Sequence, residues 1–326
     1  MKSSRSVTVA ALMVFGCVCA VRGQDMKLRE EAINIVQRGT QLGQAAVWGT
    51  MRGSATFRAT MPDGKEVDGS YSILRITEDD FRIEVQTPDF HAVWLRHEGK
   101  GIRWSSKEVT PPAALVVLQS LPGRVPKLVS QDVVRAILTT EAGGRVARCI
   151  EFDSITGEKT SANQICADAQ TGAILSVRRG AVSIGYSRFF PYHEALIPGL
   201  VVYTENDLKV EMEFSVEEEH GPVDPAEFEA PPGVQLAPVC REFRAAIPNF
   251  APQPEIGSGK GVTDVVVRAG VRKDGTVSAA LVQSSSRPDL NEEALRVARR
   301  WTFAPEMCNG KPGISNVAIV LHFQGR

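Results

Sequence analysis

The chain has 326 residues, a formal net charge of -1, 43% hydrophobic and 23% charged side chains. That balance supports packed cores and gives no long-range field to draw in nucleic acid or an acidic membrane surface. The length is enough for two domains, and the sequence carries no low-complexity segment or internal repeat.

Lys2 and Arg5 precede an apolar run, Val7–Val21, which ends at Arg22-Gly23-Gln24. A charged start, a short apolar stretch and a small residue describe a secretory signal, residues 1–23, cleaved after Gly23. The run is about fifteen residues, short of the roughly twenty that span a bilayer comfortably. Export to the periplasm is therefore expected; the alternative is a retained segment anchored in the inner membrane. Val14-Phe15-Gly16-Cys17 resembles a lipobox only faintly, because Phe is atypical before the Gly.

After such a signal, Leu28–Gln41 places Leu28, Ala32, Ile33 and Val36 near helical period. Strands are expected at Ala55–Thr60, Gly69–Ile76, Phe81–Gln86, Ala92–Arg96 and Gly101–Ser105. Turn signals such as Pro62-Asp63-Gly64 and Glu98-Gly99-Lys100 separate them. Phe81, Ile83 and Val85 alternate with Arg82, Glu84 and Gln86, as one buried and one wet face require. Two short helices are expected, Ala113–Ser120 and Gln131–Thr139, the second capped by Ser130. Strands resume at Arg145–Phe152, Gln164–Ala167 and Ala173–Arg178. Leu208, Val210, Met212, Phe214 and Val216 then give the clearest alternation in the chain. Antiparallel strands with one apolar face need a cover, and the helices are the natural one.

This order of elements resembles the LolA/LolB-type lipoprotein-carrier fold over residues 28–233, including Asp80-Phe81-Arg82-Ile83-Glu84-Val85 and the ending Phe228-Glu229-Ala230-Pro231-Pro232. The resemblance implies an incomplete barrel closed over by helices, with an apolar cavity for lipid or lipoprotein acyl chains. Val93, Leu95, Val116 and Leu118 could line it or be plain core. Residues 234–260 follow as a Pro/Gly-rich, semi-rigid connector.

Six cysteines are present, of which Cys17 and Cys19 would leave with the signal. An even number remaining in an exported chain points to disulfides, with three possible pairings. Cys149 and Cys166 lie in two β-like runs joined near Thr156-Gly157. Cys240 stands just before the last domain and Cys308 inside it. Pairing within each domain gives Cys149–Cys166 and Cys240–Cys308. No CxxC is present and the His residues are scattered, so no metal is expected.

The last sixty or so residues are the most specific. Val262–Val271 is β-rich, Lys273-Asp274-Gly275 supplies a turn, and Val277–Gln283 returns; an Asp-Gly pair there is a strong hairpin signal. Asp289 with Glu292 three residues on has the form of a capping box, opening a helix over Asp289–Arg300 with Leu290, Ala294, Val297 and Trp301 on one face. Asn316–Phe323 closes the chain as a strand. Asp274-Gly275-Thr276-Val277, Ser284-Ser285-Ser286, Ala294-Leu295, Arg300-Trp301-Thr302-Phe303-Ala304-Pro305 and Asn309-Gly310-Lys311-Pro312 together resemble the TonB family's C-terminal domain, from about Cys240 to Arg326.

The fold expected for the whole chain is thus α+β: a curved antiparallel sheet covered by helices, then a small ββαβ domain at 261–326. The TonB resemblance implies that the sheet edge pairs with an extended segment of an envelope protein, such as an outer-membrane receptor or transporter. The partner-binding strand would be Asn316, Val317, Ala318, Ile319, Val320 and Leu321. The connector lacks the Lys-Pro and Glu-Pro repeats of the family's energy-transducing members. A transducer or transport accessory, the alternative function, therefore requires the N-terminal segment to stay in the membrane.

Catalytic constellations are missing. There is no Gly-x-Ser-x-Gly elbow and no His-Glu-x-x-His pair. Gly257-Ser258-Gly259-Lys260-Gly261 has Gly where a phosphate loop needs Ser or Thr. His91, His97, His193, His220 and His322 have no Cys or Ser partner at a recognisable spacing. No catalytic residue and no cofactor is expected, and the function expected is non-enzymatic binding.

Overall fold

The computed structural model describes residues 26–44, 50–77, 79–119, 128–156, 159–218, 222–234, 236–254 and 262–324. The signal stretch 1–23, most of the turn at 156–158 and the glycine-rich run 257–261 lie outside the described residues. What is described is mostly β, with few helices.

The N-terminal unit opens with α1 (Met26–Gln44). Five strands follow: β1 (Met51–Thr60), β2 (Glu66–Arg75), β3 (Phe81–Thr87), β4 (Phe90–His97) and β5 (Lys100–Ser105). After α2 (Pro112–Gln119) come seven more: β6 (Asp132–Ala142), β7 (Arg145–Thr156), β8 (Lys159–Asp168), β9 (Ile174–Arg179), β10 (Val182–Tyr192), β11 (Ala195–Glu205) and β12 (Leu208–Glu218). With β13 (Ala237–Pro238) they form one antiparallel sheet of 13 strands, in the order β13-β5-β4-β3-β2-β1-β12-β11-β10-β9-β8-β7-β6. The meander runs outward in both directions from the β1/β12 pair, so its two ends are β5 and β6. The sheet is large, curved and not closed.

Alternation decides which face is buried. Along β1, residues Met51, Ala55, Phe57 and Ala59 point into one core with Leu208, Val210, Met212 and Phe214 of β12, while Ser54, Thr56 and Arg58 point out. α2 packs into this core against β3 and β12, with Ala114 and Val117 fully buried. α1 packs on β6, β8, β9 and β11, burying Ala32 and Val36 against Ile150, Ile165, Ile174 and Val177. Two elements differ from expectation. After a turn at Gln131, residues 132–139 form the first part of strand β6, not a helix, because pairing along β7 overrides the helical spacing of Val134, Ile137 and Leu138. Val182–Tyr192 and Ala195–Glu205 are strands that the sequence did not announce, since much of β10 and β11 is half-buried on both faces and alternates poorly.

Beyond β12 the chain turns back over the sheet. A 3-10 turn, Pro225–Phe228, buries Phe228 among Leu74, Val93 and Leu95. Both Arg52 Nη atoms donate to the Glu227 carboxylate at 2.6 and 2.5 Å, and Arg82 donates to the Glu229 carbonyl at 2.6 Å. The His97 ring stacks on Phe228 at 4.4 Å. The described part of the segment read as a connector is then paired in three short pieces. β13 extends the large sheet at β5, whereas β14 (Phe243–Arg244) and β15 (Ile247–Phe250) pair with strands of the C-terminal unit.

That unit contains β16 (Val262–Val271), β17 (Val277–Ser285), a 3-10 turn (Pro288–Leu290), α3 (Asn291–Ala298), β18 (Thr302–Ala304), β19 (Met307–Cys308), β20 (Lys311–Pro312) and β21 (Ser315–Gln324). Its main sheet has the order β17-β16-β21. The helix begins two residues later than expected. Asp289 lies in the 3-10 turn and makes no cap bond; its carboxylate accepts two bonds from the Arg287 guanidinium instead. Ala294, Val297 and Ala298 of α3 pack on Val265, Val267, Ile319, Leu321 and Phe323, each large side chain contributing roughly 1.5–3 kcal/mol. In the β16–β17 turn, Gly275 has φ +85°, and a Cβ there would lie 1.9 Å from the Phe303 carbonyl oxygen. The Phe303 N–H donates to the Gly275 carbonyl at 2.9 Å, so the turn is tied to β18.

Candidate partner-binding edge

β21 pairs with β16 on one side and, among the described residues, with no strand on the other. Its odd-numbered residues carry the core: Ile319, Leu321 and Phe323 are buried, and Val317 is partly so. The even-numbered ones, Asn316, Ala318, Val320 and His322, lie on the face away from α3, with Val320 40% exposed. One bond fixes which amides point outward. The His322 N–H donates to the Gln253 side-chain oxygen at 3.4 Å, away from β16. In an antiparallel pair, outward residues alternate, and β16–β21 runs in register without a shift. Asn316, Ala318 and Val320 therefore also direct both N–H and C=O outward. Val317, Ile319 and Leu321 direct theirs into the sheet.

The Cys149–Cys166 bridge joins directly opposed residues of β7 and β8, with Cα atoms 4.0 Å apart. Cys240–Cys308 ties the chain before β14 to β19, with Cα atoms 5.3 Å apart. Asn309 holds the same junction. Its side-chain oxygen accepts from the Arg241 and Glu242 amides at 3.0 and 3.1 Å, and it adopts φ 48°.

The face of the small sheet away from α3 meets the N-terminal unit. Thr110 N–H donates to Asn316 Oδ1 at 3.0 Å, and Asn316 Nδ2 donates to the Glu108 carbonyl at 3.3 Å. A Cβ on Gly270 would come within 3.1 Å of that carbonyl and 3.2 Å of Val109. Nearby, Glu205 Oε2 accepts from Tyr203 Oη at 2.9 Å and from Gln283 Nε2 at 3.3 Å, and Arg268 Nε donates to Gln283 Oε1 at 3.0 Å. Burial lowers the Arg268 pKa while Glu205 opposes it; burial and Glu205 together push the Tyr203 phenol up. Of these residues sequence reasoning named only Asn316, as part of the edge strand, and missed Glu108, Thr110, Tyr203, Glu205, Arg268 and Gln283 as contacts between the units. The missed residues lie far from the edge in sequence, and only the docking of the two units gathers them.

The four residues named for an apolar cavity are all buried in core clusters. Val116 and Leu118 of α2 are buried in the core beneath β1 and β12, and Val93 and Leu95 are buried with Phe228. A concave space of about 640 Å³ lies on the opposite face of the sheet, lined by Ser54, Thr56, Ser70, Ser72 and Ser215 and by Glu84, Glu213 and Arg188. Ser54, Ser72 and Ser215 sit side by side on β1, β2 and β12.

Histidines are dispersed. His97 Nδ1 meets Asp80 at 3.0 Å, His322 Nδ1 meets Asp264 at 2.7 Å, and His91 stands edge-on to Trp104. Asp80 is held below the usual carboxylate range, first by the Glu98 amide. Among the described residues no three His, Cys, Asp or Glu side chains converge as metal ligands. No described helix is long and apolar enough to cross a membrane.

No curated protein matches the chain. Among solved structures, a LolA superfamily protein from Nitrosomonas europaea aligns with TM-score 0.36 and 9% identity over 60% of this chain and 96% of that one. A DUF1329 family protein from Desulfovibrio piger aligns with TM-score 0.40 and 11% identity over 60% and 96%. The MucA/MucB complex of Pseudomonas aeruginosa gives TM-score 0.29 and 12% identity over 84% and 100%. Residues 261–324, the stretch that builds β16 to β21, match the family described as the Gram-negative bacterial TonB protein C-terminal.

Proposed function

We propose that this chain is a non-enzymatic periplasmic protein of the cell envelope that binds a protein partner by adding the partner's extended segment to the free edge of β21. The observation that carries this reading is the outward row of backbone groups at Asn316, Ala318 and Val320, within the segment that matches the TonB C-terminal family. Strand addition of this kind takes affinity from main-chain hydrogen bonds and specificity from alternate side chains. The residues between Ser315 and Leu321 include no charge and no proline to block it. Export with removal of residues 1–23 belongs to the same reading, and two disulfides fit an oxidising compartment.

An energy-transducing role is not included. A spacer that reaches across a compartment needs free length, and within residues 236–254 the pieces 237–238, 243–244 and 247–250 are paired to one unit or the other. An acyl-chain site in the N-terminal unit is not part of this reading; Val116 and Leu118 of α2 lie in the core cluster with β1 and β12.

The test is capture of envelope proteins on the full mature chain, in parent form and as Ala318→Pro and Val320→Pro. Each substitution removes one outward donor without removing a β16–β21 bond. A partner held by the parent and lost from both folded variants supports the reading. Equal capture by all three overturns it.

A further inference from the structure

We infer that the chain itself occupies one end of this edge: Pro252–Gln253 stands where a partner strand would run past His322, so pairing is confined to Asn316–Val320 until that segment moves. This rests on the reading of β21 as a pairing edge.

Two contacts place the segment. The Trp301 indole N–H donates to the Pro252 carbonyl at 2.9 Å, and Trp301 is itself part of the small unit's core. The Gln253 side-chain oxygen then accepts from the His322 amide at 3.4 Å. That oxygen does the work of a partner strand's backbone carbonyl. The bond is long and exposed, and such bonds are weak and readily exchanged. The indole bond is short, so the backbone stays anchored while the amide arm alone yields.

The segment cannot complete the ladder. Gln253 lies between Pro252 and Pro254, which have no N–H to offer the outward carbonyls of β21. It covers the end of the edge and leaves it competent to pair. At the other end, Thr110 and Glu108 hold the Asn316 side chain from the sheet face. A partner fitting between these limits is an extended segment of about five residues, since only alternate residues of a strand direct their backbone groups to one neighbour. A longer partner must first displace Gln253.

Amide hydrogen exchange on the full chain, read by NMR without any partner, tests both layers. Ala318 and Val320 are expected to exchange at least a hundredfold faster than Ile319 and Leu321. His322 is expected to exchange at least threefold slower than Val320 after correction for sequence. Gln253→Ala should bring His322 up to the Val320 rate, and Gln253→Glu, which keeps an acceptor, should preserve the protection. Slow exchange at Ile319 and Leu321 certifies the fold of each variant. If His322 matches Val320 in the parent, or does not respond to Gln253→Ala, the segment does not cover the edge and the edge reading stands. If Ala318 and Val320 are as slow as Ile319, the edge is not free and both fall.

Discussion

The two sheets treat their edges in opposite ways. The large one ends in β13, two residues long and containing Pro238, and in β6, which carries Arg135 and Glu141 with Arg135 paired to Asp153. Short length, proline and charge are the devices by which edges are kept from recruiting other chains. The small sheet has none of them between Ser315 and Leu321, where Asn316, Val317, Ala318, Ile319 and Val320 leave a plain edge. One chain thus protects the edges of a thirteen-stranded sheet and leaves open that of a three-stranded one. The difference is what the proposed pairing through the small unit would use.

The contrast predicts that the small unit depends on local staples more than the large one. Loop-closure entropy assigns about 4 kcal/mol to Cys240–Cys308, whose sequence separation is 68, and about 3 kcal/mol to Cys149–Cys166, whose separation is 17. Replacing Cys240 and Cys308 by Ser should lower the small unit's unfolding free energy by that larger amount, measured by denaturant titration with exchange readout at Ile319. A smaller loss than for the Cys149/Cys166 pair would reverse the ranking.

Gly275→Ala should follow, costing about 3 kcal/mol in the small unit and leaving amides of β1 and β12 unchanged. A left-handed backbone angle and contact with the Phe303 carbonyl both oppose a side chain there. Equal weakening of both units would show that they fold as one.

Ala318→Lys sharpens the contrast from the other side. It gives β21 the charge that β6 already carries, and partner binding should fall about tenfold at unchanged stability. Unchanged binding would mean that edge chemistry is not what the partner reads.

The smallest effect concerns the junction. Arg52 holds the Glu227 carboxyl below the usual carboxylate range. A depressed acid stabilises above its unfolded pKa and loses that contribution as pH falls through its folded pKa, here from about 4.5 downward. Both groups are about one-third exposed, so the contribution is under about 1 kcal/mol. Glu227→Gln should remove that part of the acid sensitivity in a pH series of unfolding midpoints.

How much of this was legible in the sequence depends on where the determinants lie. The Asp274-Gly275 turn, the alternation along β12 and the β16, β17 and β21 ranges are local signals, and local signals survive without a structure. Residues 131–139 deceived because Val, Ile and Leu fell at helical spacing in a segment whose fate was decided by β7. Asp289 had a capping-box spacing, yet Arg287 two residues earlier claimed its carboxylate. The edge strand was legible through family resemblance, whereas Gln253 was not. Nothing local to Gln253 announces a bond to a residue 69 positions away.

The β1/β12 pair carries one more consequence, and it concerns order in time. Ser54 and Ser215 touch across that seam at 3.0 Å, although 161 residues separate them. A chain emerging N-terminus first has β1 to β5 available long before β12 exists. During that interval the inner flank of β1 is an unsatisfied strand, and contacts of such sequence separation form slowly. The Ser54, Thr56 and Arg58 side of β1 is polar, which keeps that waiting intermediate soluble on one face. The other face, with Phe57 and Ala59, has to wait for Leu208–Phe214, so assembly of the N-terminal unit completes only when nearly two-thirds of the chain has been delivered.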